Sequence, residues 1–109
     1  MFKYGGGILT TDSVTRLAET FRLMGDPSRL KIMLACLDDV LCVGDISRCT
    51  GLSLSLASHH LRLLRGARIV QARRRGKQVF YGVEDARVAC VLRDMVAHVG
   101  EVETQADAA

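Results

Sequence analysis

The stretch Val43-Gly44-Asp45-Ile46-Ser47-Arg48-Cys49-Thr50-Gly51-Leu52-Ser53-Leu54-Ser55-Leu56-Ala57-Ser58-His59-His60-Leu61-Arg62-Leu63-Leu64-Arg65 decides the fold. Its first part, about Val43 to Thr50, has the length and polarity of a short helix, and Gly51 is the breaker that ends it. Ser53 or Ser55 can cap a second helix running to Arg65. Two short helices joined by Gly51-Leu52-Ser53 make a helix-turn-helix, whose second helix lies in the major groove of DNA. Leu56, Leu61 and Leu64 are expected to face the core. That orientation leaves the polar residues of the second helix, Ser55, Ser58, His59, His60, Arg62 and Arg65, for base edges or phosphates. His59 and His60 are neighbours about 100° apart around the helix, so they cannot chelate one metal together.

Downstream, Ile69–Arg73 and Gln78–Tyr81 read as two strands around Arg74-Arg75-Gly76-Lys77, a glycine-containing hairpin that serves as a wing. Arg73, Arg74, Arg75 and Lys77 on that tip are long cations able to reach the DNA backbone or an adjacent minor groove. A last helix from about Asp85 to Val99 repeats Val88, Val91/Leu92, Met95 and Val99, an apolar seam that a second copy of the chain can cover. Upstream, Asp12 or Ser13 can cap a first helix ending at Met24. Asp26-Pro27 opens a second, with Leu30, Met33, Leu34 and Leu37 as its apolar stripe and Asp38-Asp39 at its close. The expected fold is therefore mainly α with a small β-hairpin: a winged helix-turn-helix of about five helices, dimeric through its last helix. Residues 1–12, with Gly5-Gly6-Gly7, are expected as a flexible leader, 13–101 as the DNA-binding and dimerisation domain, and 102–109 as a frayed tail.

The 109 residues, 49% hydrophobic, suffice for one core. The start lacks the apolar stretch of a secretion signal, and no segment approaches the roughly 18 apolar residues of a membrane span. A cytoplasmic location with no membrane partner is expected, and Cys36, Cys42, Cys49 and Cys90 are expected to be reduced thiols. The net charge of +3 hides a segregation. Between Ile46 and Val83 stand eight basic residues and no acid, whereas all 12 acids lie in the flanks, which net −5. That is the pattern of a face that meets phosphates. No phosphate-cradling glycine loop, Gly-x-Ser-x-Gly elbow or Cys-x-x-Cys pair is present, which argues against an enzyme. A winged-helix module for protein interaction is the remaining alternative, and it has no need of the acid-free basic stretch.

Several segments resemble the ArsR/SmtB repressors. Leu23-Met24-Gly25-Asp26-Pro27-Ser28-Arg29-Leu30-Lys31-Ile32 is similar to their second-helix signature, Leu41-Cys42-Val43-Gly44-Asp45-Ile46 to their third-helix motif, Ser58-His59-His60-Leu61-Arg62-Leu63-Leu64 to their recognition helix and Gly76-Lys77-Gln78-Val79-Phe80-Tyr81 to their wing. The likeness runs from about Val14 to Glu101. It implies a homodimer, with the first and last helices forming the interface, that binds double-stranded, palindromic operator DNA and represses transcription until a metal ion or thiol-reactive inducer releases it.

The same resemblance makes the inducer site a question. Cadmium and lead sensors of the family use two cysteines in the third-helix motif with further N-terminal ones. Here Gly44 takes the second position, and no Cys or His precedes Val14. Zinc, cobalt and nickel sensors use four positions on the last helix, of which Asp85, His98 and Glu101 match three, while Arg87 occupies the fourth and cannot coordinate. About 20 Å of helix separates Asp85 from His98, so a shared ion would need both subunits. Three readings stand open: a divalent metal such as zinc at Asp85, His98 and Glu101; a structural role, with Asp85 capping the helix and Arg87 bridging to the partner's Glu101; or thiol sensing. Among the thiols, Cys42 at the start of the third helix is the first choice, Cys49 beside Arg48 the second, and Cys36 and Cys90 are expected in the core or interface.

Overall fold

The computed structural model describes residues 1–108, and side chains through Glu103. Its order is β1 (Phe2–Tyr4), β2 (Gly7–Leu9), α1 (Thr11–Met24), α2 (Pro27–Ala35), β3 (Leu41–Cys42), α3 (Val43–Thr50), α4 (Leu54–Gly66), β4 (Gln71–Arg75), β5 (Gln78–Gly82) and α5 (Ala86–Ala108). This is a winged helix-turn-helix with five helices. The helix starts follow from capping chemistry. Asp26 accepts the Arg29 backbone N–H at 3.0 Å with Pro27 in the first turn, and the Ser53 hydroxyl accepts that of Leu56 at 3.1 Å. Gly51 ends α3 at φ +75°, in the left-handed region, which turns the chain sharply into α4.

The elements differ from expectation in several places. The segment expected as a leader forms an antiparallel hairpin that pairs Phe2 with Leu9 and Tyr4 with Gly7. Thr10, rather than Asp12 or Ser13, caps α1, because its hydroxyl accepts the Ser13 N–H at 3.0 Å. α2 stops at Ala35, so Asp38 and Asp39 lie beyond it. Leu41-Cys42 is a short strand on β5, giving a three-stranded antiparallel sheet in the order β3-β5-β4. α5 continues past Val99 to Ala108, through most of the expected tail, and Ala109 lies outside the described residues.

The core gathers Ile32, Met33 and Cys36 from the end of α2, Ile46 from α3, Leu61 and Leu64 from α4, and Val70 from the segment entering the wing. Ile69 and Val70, expected in the first wing strand, are buried ahead of it, and β4 begins at Gln71. Arg68 makes this possible: at φ +60° it reverses the chain directly after α4 and aims the next two residues inward. The buried face of α4 runs Ala57, His60, Leu61 and Leu64, a 3.6-residue spacing that rotates Leu56 outward. Leu56 is 42% exposed and is not a core residue.

Candidate DNA-binding surface and sensor positions

The helix-turn-helix and the wing each present cations to solvent. Ser55, Ser58, His59, Arg62 and Arg65 are exposed along α4. The wing adds exposed Arg73, Arg74, Arg75 and Lys77, with Gly76 at φ +63° closing the two-residue turn. Between the two elements, Ser58, Arg62, Arg65, Gly66 and Tyr81 line an open cleft of about 440 Å³. Tyr81 was missed from the sequence, where it reads only as an apolar strand residue. The signal was its place in the β5 alternation, which sets it opposite Leu41 on one side and Ala72 on the other.

The cations are not equivalent. Arg73 donates to Glu84 at 2.7 Å, which anchors the base of the wing. The Arg75 guanidinium stands 5.5 Å from the centre of the Phe80 ring, a distance at which cation and ring attract. Arg62, Arg65, Arg74 and Lys77 have no carboxylate partner among the described residues, so phosphate can take that place without breaking an ion pair.

His60 corrects the expected DNA contacts. It is only 8% exposed because it lies three residues after Ala57 on the core face of α4, and its Nδ1 sits 3.4 Å from Nη1 of Arg29. That burial sets it apart from the exposed residues of α4.

The α5 positions do not assemble in one chain. Oδ1 of Asp85 accepts the Arg87 backbone N–H at 2.9 Å, and the Arg87 guanidinium forks both carboxylate oxygens at 3.2 and 2.9 Å. Those bonds hold the Asp85 carboxyl down at about 2, with the side-chain bond from Arg87 the largest cause. His98 and Glu101 stand exposed further along the same helix. Among the described residues no three His, Cys, Asp or Glu side chains lie together as a metal site. Within one chain the Asp85 oxygens serve the Arg87 guanidinium, and an ion shared with His98 and Glu101 would need those residues from a second copy.

The thiols are four distinct cases. Cys36 is buried, its thiol donates to the Ile32 carbonyl at 3.2 Å, and burial pushes its pKa up to about 11. Cys90 is outside the core of the single chain: it is exposed on α5 and faces Asp94 at 3.5 Å, a carboxylate that raises its pKa. Cys42 is half-buried as the residue before α3. Its thiol donates to Asp45 at 3.4 Å and lines a cavity of about 490 Å³ with Arg48, Lys77 and Tyr81. Cys49 is exposed two turns along the same helix, while the neighbouring Arg48 pairs with Asp45 instead. Seven residues of helix put Cys42 and Cys49 about 10 Å apart, too far to share one ion.

Residues 26–72 match the family described as bacterial regulatory protein, arsR family. The transcriptional repressor SmtB homolog of Synechocystis sp. is 37% identical over 86% of this chain and 71% of its own length. The chain belongs to the arsR family. The transcriptional regulator CmtR of Mycobacterium tuberculosis is 39% identical over 81% of the chain and 75% of the relative. Among solved structures, the homodimeric winged helix-turn-helix DNA-binding domain of a possible ArsR-family regulator from Mycobacterium bovis superposes with a TM-score of 0.75. It covers 86% of each chain at 24% identity, which supports the fold. This arsR-family protein is a DNA-binding transcriptional repressor, not an enzyme. Among the described residues no helix is long and apolar enough to cross a membrane.

Proposed function

We propose that this arsR-family repressor works as a homodimer that grips a palindromic operator through two copies of one face. Ser55, Ser58, His59 and Arg62 read or clamp the major groove, and Arg65, Arg73, Arg74, Arg75 and Lys77 hold the flanking backbone. The observation that carries this reading is the acid-free stretch, whose Arg62, Arg65, Arg74 and Lys77 are exposed and have no carboxylate partner among the described residues. Two-fold symmetry of the protein is what a palindrome mirrors, and exposed Leu17, Phe21, Val91, Met95 and Val99 on α1 and α5 are the apolar surface for a second copy.

Release follows binding of a metal ion or a thiol-reactive inducer. The Asp85–Arg87 fork favours the thiol reading over zinc at Asp85, His98 and Glu101, and Cys42 is its best-placed residue, beside the root of the wing. The test is to titrate the reduced protein on duplex DNA from the promoter upstream of its gene, then challenge the complex separately with zinc, nickel, cadmium, arsenite, peroxide and polysulfide. Release by a thiol-directed agent, lost in Cys42→Ser, supports the reading. Release by zinc that survives Cys42→Ser and is lost in His98→Ala returns the sensor to α5.

A further inference from the structure

Among the described residues one polar side chain belongs to the buried interior: His60. It is part of α4, yet it points away from the face that carries Ser55, Ser58 and Arg62, onto the start of α2. A guanidinium has donors only, so a hydrogen bond across the 3.4 Å between Arg29 and Nδ1 of His60 requires Nδ1 to accept, with the ring proton on Nε2 and the imidazole neutral. Arg29 is itself held from two further sides. Its Nε donates to the Leu23 carbonyl at 2.7 Å in the last turn of α1, and its backbone N–H donates to Asp26 at 3.0 Å at the head of α2. One residue thus ties together the end of α1, the start of α2 and the middle of α4.

We propose that Arg29 and His60 are a positioning pair that holds α4 in its DNA-reading orientation, and that operator binding requires His60 to be neutral. The inference rests on α4 being the reading helix, and neither residue touches DNA in it. The groups that face the imidazole are Asp26 and Arg29 from the start of α2 and His59 from its own helix. Burial is the main cause that lowers the His60 pKa; Asp26 opposes it, and Arg29 and His59 add to it. The sign follows. A displaced α4 takes up the proton more readily than the packed one, so the packed arrangement loses ground as pH falls below about 6.5. A proton on Nδ1 also turns the acceptor into a donor aimed at a donor.

The test measures affinity for a duplex selected from a randomised pool by the wild-type protein, at pH 7.5 and 5.5 and fixed ionic strength. A His59→Asn background, with its duplex selected from the same pool by that variant, is used because protonation of exposed His59 attracts phosphate and acts with the opposite sign. In that background affinity is expected to fall about fivefold or more on acidification, the lower range of ordinary coupling between sites. Adding His60→Asn, which keeps an acceptor but does not titrate, holds affinity within about twofold at both values. Arg29→Met removes the neighbouring cation and moves the midpoint of the pH profile upward. Circular dichroism and thermal unfolding at both pH values show whether each variant is folded, and His60→Gln stands in if His60→Asn is not. An acid response that survives His60→Asn or His60→Gln, or a midpoint that Arg29→Met leaves in place, overturns the proposal. If Arg62→Ala and Ser58→Ala do not alter binding, α4 is not the reading helix, and that separate failure takes the inference with it.

Discussion

Arg87 and the cysteines show how much of this protein's chemistry is decided by immediate neighbours. The fork between Arg87 and Asp85 is a local device: it caps α5 and pairs a carboxylate with a cation that a metal would have to displace. Wild-type protein with reduced thiols is therefore expected to show weak zinc uptake by calorimetry. Arg87→His frees Asp85 and adds a ligand, so binding should become substantially tighter if His98 and Glu101 of a partner complete the set. Tight wild-type binding abolished by His98→Ala would show that the fork yields to metal. Asp85 also has a pH signature. Its carboxyl is held at about 2, so its stabilising effect is present above about pH 4 and is lost as pH falls through 2. In Arg87→Ala the Asp85 titration, followed by NMR, should return toward the ordinary carboxylate range. Alkylation near pH 8 should mark exposed Cys49 well before Cys90, which Asp94 disfavours as a thiolate, and Cys36, which is buried and pushed to about 11. Early labelling of Cys36 under native conditions would contradict its burial.

At the scale of elements, the recognition helix and the wing divide the work of binding. The wing offers Arg74, unpaired among the described residues, and Arg75, set against the Phe80 ring; in the proposed reading these meet phosphate rather than bases. Replacing both by Ala should weaken specific and random DNA alike and reduce the slope of log affinity against log salt by up to about one unit per phosphate released. An unchanged slope removes the wing from the interface. Ser58→Ala or Arg62→Ala should instead erode the preference for operator over random duplex, by about 1–3 kcal/mol for each base that is no longer read. Equal weakening on both duplexes would mean that these residues grip phosphate only.

For the whole molecule, the exposed apolar surface is the feature a single chain leaves unfinished. Met95 is 54% exposed on α5, and with Leu30, Leu34, Leu92 and Val96 it lines a groove of about 400 Å³ between α2 and α5. Met95→Glu should split the dimer, since two facing carboxylates in an apolar seam can be neither paired nor well solvated. A native mass that still reports a stable dimer would move the interface off this part of α5.

Much of this was legible in the sequence because it depends on short-range physics. Gly51 after a short polar helix, the Asp26-Pro27 start and Ser53 before an amphipathic run act through hydrogen bonds and dihedrals a few residues apart, so the helix-turn-helix could be read directly. The acid-free stretch showed that a cationic face would exist, since charge is a property of composition. What the sequence could not determine needed contacts between distant residues. Leu41-Cys42 is a strand only because β5 offers it hydrogen bonds about 40 residues later. His60 belongs inside because the α4 face that meets α2 and α3 begins at Ala57, and the same rotation puts Leu56 outside. The Asp85–Arg87 fork turned positions that resemble a metal site into an ion pair. The periodicity of a helix says that it has an apolar face; only the elements packed against it decide which residues that face contains.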